Sequence, residues 1–434
     1  MIKFNPETFY RRHNKEIEKF IFNPLKTLHI VSDDVDTNLL ENFCEYLLMN
    51  KNEDIDLSLK SINNKFDLII ITDLLENQEN ISEFFDVLYS KLNDNGKLLV
   101  TSVNNIWYPI LNFFELIGLK KKSKKRVYTS PKKLKNILSS NKYSYIQYHT
   151  RQYFPFQLFG IGDILNTALE IIFYKLNIGI KSYFLMQKKS DNYKELSKTI
   201  IIPAKNEEKN LEPLINLIPQ FDNLEIIIAC GQSEDKTIEV SNQLKDSNLL
   251  NIKVIEQTGK GKANAVFEAL EISQNDLISI LDADISVDPK VLDDVFKIIE
   301  NGEADFVNCT RFVYRKEKNS MRFFNVIGNK IFQYLISVVI SKKLTDSLCG
   351  TKVFHKGLKD KIIMWQKFNK VRDPFGDFDL IFASAFSGQN IVEYPIHYRS
   401  RIYGKTQISR FKDGFRLFIY FLNSLRVFNK SINN

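Results

Sequence analysis

The stretch Asp276-Leu277-Ile278-Ser279-Ile280-Leu281-Asp282-Ala283-Asp284 decides how this chain is read. Its apolar run over residues 277–281 predicts a short strand buried on both faces. The run ends in two aspartates. In an extended chain residues two apart point the same way, so both carboxylates face one spot. Such neighbours repel. A divalent cation relieves the conflict, since Mg²⁺ is held by one or two carboxylates together with substrate phosphates. Open α/β sheets place ligands outside the carboxyl ends of their strands. Taken alone, the tripeptide is better read as two solvated aspartates opening a loop.

The flanking sequence repeats the pattern. Thr199-Ile-Ile-Ile-Pro203 predicts a strand, followed by Ala204-Lys-Asn-Glu-Glu208, with Asn206 as helix N-cap and Glu207 and Glu208 in the first turn. Residues 224–229 predict a second strand, leading into Cys230-Gly-Gln-Ser-Glu-Asp-Lys-Thr237 and a helix. Residues 252–255 predict a third, followed by Gln257-Thr-Gly-Lys-Gly-Lys262 and a helix through Leu270. Polar loops recur at each strand-to-helix junction, where a nucleotide site is assembled.

This ordered series resembles the family 2 glycosyltransferases of the GT-A fold, and among them the dolichol- or polyprenyl-phosphate sugar transferases. Later segments follow in register: Arg311 after a strand, Thr345-Asp-Ser-Leu-Cys-Gly-Thr-Lys-Val353, Asp373-Pro-Phe-Gly-Asp-Phe-Asp379 and Arg399-Ser-Arg-Ile-Tyr-Gly-Lys-Thr406. The resemblance spans residues 199 to about 409. It implies that Pro203, Ala204, Asn206 and Glu207 flank the base and ribose of a nucleotide-sugar donor, with Ser233 and Asp235 beside the base. Gly259, Lys260 and Gly261 would let backbone and a cation approach the nucleotide. Asp282, with Ala283 beside it, would reach the nucleotide sugar or the metal, and Asp284 would coordinate Mg²⁺ or Mn²⁺. Arg311, Arg401 and Lys405 would neutralise phosphate charge. Asp379 is the favoured catalytic carboxylate and Asp377 the close second. A hydroxyl acceptor needs such a general base, whereas an ionised phosphate acceptor does not. Two positions depart from the family pattern. Cys230-Gly231-Gln232 stands where Asp-Asp-Gly is usual, and Gln407 stands where a lysine is common among lipid-phosphate transferases.

The first half alternates strand and helix as well. Strands are expected over residues 25–32, 66–72 and 97–101, with helices over about 37–49 and 84–92 and a turn at Asn93-Asp-Asn-Gly96. Residues 66–104 resemble the later half of a class I S-adenosylmethionine-dependent methyltransferase, a Rossmann-like fold. The glycine-rich turn of that family is missing: Val31-Ser-Asp-Asp-Val-Asp-Thr37 holds no glycine, and Asp33, Asp34 and Asp36 read as acidic loop surface. A degenerate methyltransferase-like domain without cofactor binding is the expectation. Residues 153–186 turn aromatic and apolar in an amphipathic helical pattern, either packed on the neighbouring domain or docked on a membrane. Residues 187–198 read as a linker.

Composition sets outer bounds. The 434 residues suit two or three domains, and 44% hydrophobic with 12% aromatic content excludes a disordered chain. The four cysteines, Cys44, Cys230, Cys309 and Cys349, form neither metal pairs nor a disulfide framework. The first residues lack the apolar core of a signal peptide, and no run of 18 apolar residues occurs. Net charge is +8, with the densest cations in Lys120-Lys-Lys-Ser-Lys-Lys-Arg126. That run reads as a solvated loop, a nucleic-acid patch, or a face for phosphate-bearing substrates or anionic lipid. Residues 411–430 carry a Phe411, Phe415, Phe418, Leu422, Leu425 stripe with Lys412, Arg416, Arg426 and Lys430, which suits a domain-closing or a bilayer-bound helix.

The expected protein has two α/β domains: a methyltransferase-type domain and linker over 1–198, a GT-A domain over 199–410, and an amphipathic helix over 411–434. It moves a sugar from a nucleotide donor to a polyprenyl phosphate or other lipid-linked acceptor, in the cytoplasm or peripherally on the membrane's cytoplasmic face. Nucleic acid is not an expected partner. Methyl transfer, or a non-catalytic basic scaffold, are the alternatives.

Overall fold

The computed structural model describes residues 6–18, 20, 26–31, 46–49, 59, 61–75, 81–117, 134, 143–156, 161–173, 176–189, 195–247, 250–314, 323–340, 342–401, 403 and 410–429. The loop at 32–37, the basic run at 120–126 and Lys405 with Gln407 lie outside them. The chain divides into two compact units, Met1–Asp191 and Asn192–Lys430.

The first unit opens with α1 (Pro6–Glu18) and strands β1 (Thr27–Val31), β2 (Tyr46–Met49) and β3 (Phe66–Thr72). Helix α2 (Ile81–Lys91), β4 (Leu92–Val103), a short 3₁₀ turn (Asn105–Trp107), α3 (Tyr108–Leu116), β5 (Tyr143–Arg151), α4 (Gly162–Phe173) and β6 (Lys181–Lys188) follow. The sheet order is β2-β1-β3-β4-β6-β5. The first four strands run parallel, and β6 lies antiparallel between β4 and β5. Three expectations change here. Residues 46–49 pair with β1 from Leu28↔Tyr46 to Val31↔Met49 instead of ending a helix. A four-residue apolar run carries no helical period, and the open edge of β1 takes it. The turn at 93–96 is absorbed into β4, with a register shift between Phe66 and Leu68 and a bond from Asn93 Nδ2 to Asp67 Oδ1 (2.7 Å). Residues 181–188 form a strand rather than helix, so residues 187–198 are not one linker: β6 ends at Lys188 and β7 begins at Lys198.

The second unit builds β7 (Lys198–Ala204), α5 (Leu211–Leu217), β8 (Leu224–Cys230), α6 (Thr237–Ser247), β9 (Asn251–Glu256), α7 (Lys262–Ile272) and β10 (Leu277–Ile280). There follow α8 (Val291–Glu300), β11 (Phe306–Thr310), α9 (Phe323–Val339), β12 (Lys352–His355), α10 (Leu358–Asn369), α11 (Asp377–Phe386), β13 (Ile391–Pro395) and α12 (Arg410–Asn429). The sheet order is β13-β11-β12-β10-β7-β8-β9. Strands β10, β7, β8 and β9 are mutually parallel, and β12 runs antiparallel between β10 and β11. Burial on both faces explains the unbroken apolar strands: Ile200, Ile201 and Ile202 of β7 are all fully buried. Each such side chain contributes roughly 1.5–3 kcal/mol.

Helix α12 belongs to this unit. Its Tyr420 enters an aromatic cluster with Trp365 of α10 and Phe378 and Phe382 of α11. Trp365 is fully buried, lies flat on Phe382 (5.4 Å between centroids) and donates from Nε1 to the Tyr420 hydroxyl at 2.6 Å. Trp365→Ala is expected to destabilise the second unit by about 3–5 kcal/mol in urea titration. An unchanged midpoint would show that α10, α11 and α12 do not depend on that ring.

Candidate active site

The functional side chains gather where β7, β8, β9 and β10 end. Loop 204–210, after β7, does not enter a helix at Asn206. That residue adopts φ +57°, a left-handed conformation that asparagine tolerates, and the helix begins at Leu211 behind Asn210. Asn206 instead ties two loops together: its N–H donates to Ser233 Oγ (3.1 Å), and its Oδ1 accepts from the Glu234 N–H (2.7 Å). Asp235 works similarly, accepting from the N–H groups of Glu208 (3.2 Å) and Thr237 (3.1 Å). Ser233 and Asp235 therefore brace the loops. The Ala204 carbonyl, just after Pro203, accepts from Gly231 N–H at 2.8 Å. Cys230, at the departure from the family pattern, is buried and turns its thiol to Ser241 Oγ at 3.3 Å.

The turn after β9 is also self-braced. Gln257 Nε2 donates to the Gly259 carbonyl (3.0 Å), and Gly259 N–H donates to Asn264 Oδ1 (2.9 Å). Gly261 takes φ +89° and starts α7, a conformation glycine adopts without a Cβ penalty. Lys260 is exposed. The next cation, Lys262, is the one that reaches the aspartate pair, with Nζ 2.5 Å from Asp282 Oδ1. Sequence reasoning passed over Lys262; its place at the first turn of α7 is the signal that finds it.

The aspartates leave the strand differently from the extended picture. The chain turns at Ala283-Asp284, and Ile285 is held at φ +53°. A β-branched residue in that region is strained, and such strain concentrates at functional sites. The turn splits the carboxylates between two cations. Asp282 pairs with Lys262, while Asp284 Oδ2 lies 2.8 Å from Arg401 Nε. Asp284 Oδ1 is held by the Ser286 N–H (3.1 Å) and hydroxyl (2.6 Å). Burial alone pushes the Asp282 carboxyl up, but Lys262 overrides it and holds it below the usual range. The Lys262 ammonium is destabilised by burial and stabilised more by Asp282 and Asp377, so it stays protonated. Glu207 completes the acidic locus. Burial raises it to about 6, and Asp284 and Asp282 add to that rise against the bond from Asn210 and the charge of Arg401.

Hard carboxylate oxygens from two residues fit Mg²⁺ or Mn²⁺ shared with a diphosphate, rather than an all-protein cage. Among the described residues, no group of three His, Cys, Asp or Glu side chains forms a metal cage. Gly350 borders the pair: a Cβ there would collide with the Asp282 carboxylate and the Lys262 ammonium. Only glycine leaves those groups their space.

The second acidic pair divides. On helix α11, residues two apart point about 200° away from each other. Asp377 Oδ1 takes an ion pair from Lys352 Nζ (2.7 Å), a lysine buried at the start of β12 and also donating to the Cys349 carbonyl. Asp379 faces the aromatic cluster, accepting from the Tyr420 hydroxyl and from Gln366 Nε2 (3.0 Å). Asp373 accepts from the N–H groups of Phe375 (3.0 Å), Phe378 (2.6 Å) and Asp379 (3.2 Å), and so caps α11 where Gly376, at φ +81°, offers no side chain. Arg311, expected on phosphate, forms a buried fork with Asp346 (2.7 and 2.8 Å) and stacks on Tyr398.

Residues 199–363 match the family model for Glycosyl transferase family 2. The matched stretch lies within the second unit, on its mixed α/β sheet, and its likeness is to glycosyltransferases. Among curated relatives, the chain is 21% identical over 230 residues to the glycosyltransferase AglD of Haloferax volcanii, covering 50% of this chain and 35% of the relative. It is 26% identical over 218 residues to the dolichol-phosphate mannosyltransferase of Pyrococcus furiosus, covering 48% and 58%. The chain therefore spans between a third and three fifths of the length of these relatives. Among solved structures, glucosyl-3-phosphoglycerate synthase from Mycobacterium tuberculosis, in complex with Mn²⁺, uridine diphosphate and glucosyl-3-phosphoglycerate, aligns with a TM-score of 0.40 and 17% identity, over 53% of this chain and 80% of that one.

Burial raises the Asp373 carboxyl to about 7, with Asp379 and Asp377 adding to it, and raises Asp379 to about 6 against the bonds from Tyr420 and Gln366. Both folded values exceed the unfolded ones, so their stabilising contribution is complete below about pH 4 and is lost as pH rises through 6 to 7. The urea midpoint of the second unit should fall between pH 5 and pH 8, and Asp373→Asn should flatten that slope. A slope unchanged in the variant would assign the pH dependence elsewhere.

Proposed function

We propose that the second unit transfers a sugar from a nucleoside-diphosphate sugar to a polyprenyl phosphate or a related lipid-linked acceptor. The observation that carries this reading is the split pair at the end of β10: Asp282 held by Lys262 and Asp284 held by Arg401, each cation from another element. Asp282 and Asp284 would hold a divalent cation, which when bound supplies charge neutralisation of the leaving diphosphate. Lys262 and Arg401 then have their carboxylates satisfied elsewhere and are free to turn to phosphate oxygens. Glu207 borders the same locus and suits the donor's hydroxyls. The match over residues 199–363 and the polyprenyl-type relatives support the donor and acceptor classes.

Asp377, rather than Asp379, is our choice for the acceptor-side carboxylate. It faces Lys352 and the Lys262 ammonium, whereas both Asp379 oxygens are engaged in the aromatic cluster. With a hydroxyl acceptor Asp377 takes the proton as attack proceeds; with an ionised phosphate acceptor it only orients Lys352. The outer side of α12 exposes Phe415, Phe418, Ile419 and Leu422 beside Lys412, Arg416 and Arg426, which supports a peripheral position on a lipid surface. Among the described residues, no helix is long and apolar enough to cross a membrane.

The first unit reads as a methyltransferase-type sheet without a cofactor. Its strand order reverses between β1 and β3, where a ligand crevice belongs. Tyr10 of α1 packs on Val31 at the end of β1 and donates to Asp73 Oδ2 (3.4 Å) after β3, and Lys181 pairs with the same carboxylate. Titration calorimetry with S-adenosylmethionine should give no saturable heat; saturable binding would return methyl transfer to consideration.

The decisive experiment is thermal stabilisation by UDP-, GDP- and dTDP-sugars, with and without Mn²⁺, because a ligand of the folded state raises Tm. A metal-dependent rise with one donor, absent in Asp284→Asn, is expected; no rise with any donor would leave a non-catalytic scaffold. Asp377→Asn should lower kcat at least about 10²-fold with a hydroxyl acceptor and much less with a phosphate acceptor. Asp379→Asn should mainly lower Tm. The opposite ranking would return the catalytic role to Asp379.

A further inference from the structure

We propose that the first unit carries its own docking face for an anionic lipid surface, formed by α3 and the segment that follows α4. The argument is independent of sugar transfer, because every residue in it lies before residue 192.

Helix α3 turns apolar side chains outward. Ile110 on the helix and Ile117 just after it stand on one stripe, with Leu116 beside them and Ile106 in the 3₁₀ turn ahead of them, and all four are exposed, Leu116 at 82%. A surface helix of a globular domain normally turns such a stripe inward. On α4 and just beyond it, Ile172 is 62% and Leu176 is 59% exposed.

The two apolar stretches share one corner of the unit. Asn104, which caps the turn before α3, donates from Nδ2 to the carbonyls of Asn177 and Gly179, both at 2.8 Å. Trp107 Nε1 donates to the Ile178 carbonyl at 2.7 Å. The chain after α4 is thereby bolted to the start of α3, and β4 and β6 pair directly behind them from Val103↔Lys181. These bonds hold the corner together and its outer surface is apolar, and solvent-facing patches of this kind mark protein or membrane contacts.

Charge decides between occupants. The sequence that continues from α3 runs Lys120-Lys-Lys-Ser-Lys-Lys-Arg126, and residues 118–135 hold no acidic residue. Lysine is depleted at protein–protein interfaces, whereas an apolar helix face followed by clustered lysines supplies the two signals that stable attachment to anionic bilayers requires. Nucleic acid would engage the cations and leave the isoleucines and leucine in water.

The test uses the full chain and vesicles of phosphatidylcholine alone or with phosphatidylglycerol. Wild type should sediment with the anionic vesicles, weakly with neutral ones, and less as salt rises. Leu116→Ser with Ile117→Ser should reduce the bound fraction on the order of tenfold. These side chains are exposed, and an unchanged urea midpoint would establish that the variant folds. Placement comes from fluorescence, because the chain has two tryptophans and Trp365 is fully buried. Lipids brominated on their acyl chains should quench emission in wild type and not in Trp107→Phe. Binding undiminished by the double substitution, or quenching that survives Trp107→Phe, overturns the proposal and moves attachment to another surface, the outer side of α12 first. Equal binding to neutral vesicles overturns the electrostatic half. A lipid-free dimer broken by the double substitution assigns the face to a second copy of the chain instead.

Discussion

Like-charge repulsion is the constraint around which the second unit is organised. Glu207, Asp282, Asp284, Asp373, Asp377 and Asp379 all lie in the loops and helix start at one end of the unit, three of them raised by burial. Glu207 takes the Asn210 amide, and the others are answered by three physical means. Asp282, Asp284 and Asp377 take ion pairs from Lys262, Arg401 and Lys352; Asp373 takes backbone N–H groups; Asp379 takes a hydroxyl and an amide. Of these only the Lys352–Asp377 pair is buried on both sides, and removing one partner of such a pair typically costs about 3–5 kcal/mol. The isoleucine-rich strands beneath supply the burial that makes both the repulsion and its answers large.

The parts of this arrangement that are periodic were legible from the sequence. Strands β7, β8 and β10 announce themselves as apolar runs because both of their faces are covered, whereas the edge strand β9 alternates and is only partly buried. Asp282 and Asp284 were legible as a pair, though not as a pair divided between two cations, since that depends on the left-handed turn at Ile285. Asp377 and Asp379 looked alike because their spacing matches the first pair. A helix rather than a strand at that point sends one toward Lys352 and the other into the aromatic cluster. Lys352 stood inside a quoted segment without a role: a lysine opening a strand signals nothing until the chain brings it to an aspartate 25 positions away.

The first unit was harder to read for a related reason. Strands β5 and β6 mix tyrosine, serine, glutamine and lysine with their apolar residues, and much of that polarity is buried: Lys181, His149 and Gln187 are all nearly inaccessible. His13 donates to or accepts from the Tyr183 hydroxyl at 2.9 Å, and burial, then Lys181, holds its imidazole well below its ordinary value and so neutral. Alternation rules assume that polar residues face water. Here a polar layer lies between α1 and the sheet, so the pattern fails locally although the topology remains regular.

The antiparallel strand β12 divides the second sheet in a way that bears on how the chain acquires its shape during synthesis. Strands β7 to β10 pair among themselves, so they have their partners once residue 280 has been made. Until residues 352–355 arrive, β10 is an edge, with backbone N–H and C=O groups open to any extended segment. Seventy-odd residues, including the 17-residue apolar helix α9, emerge in that interval. The strand that closes the edge is also the one that delivers Lys352 to Asp377. Protection of the sheet from mispairing therefore also sets Lys352 in place, ready for Asp377, and only Arg401 is then needed to complete the charged site.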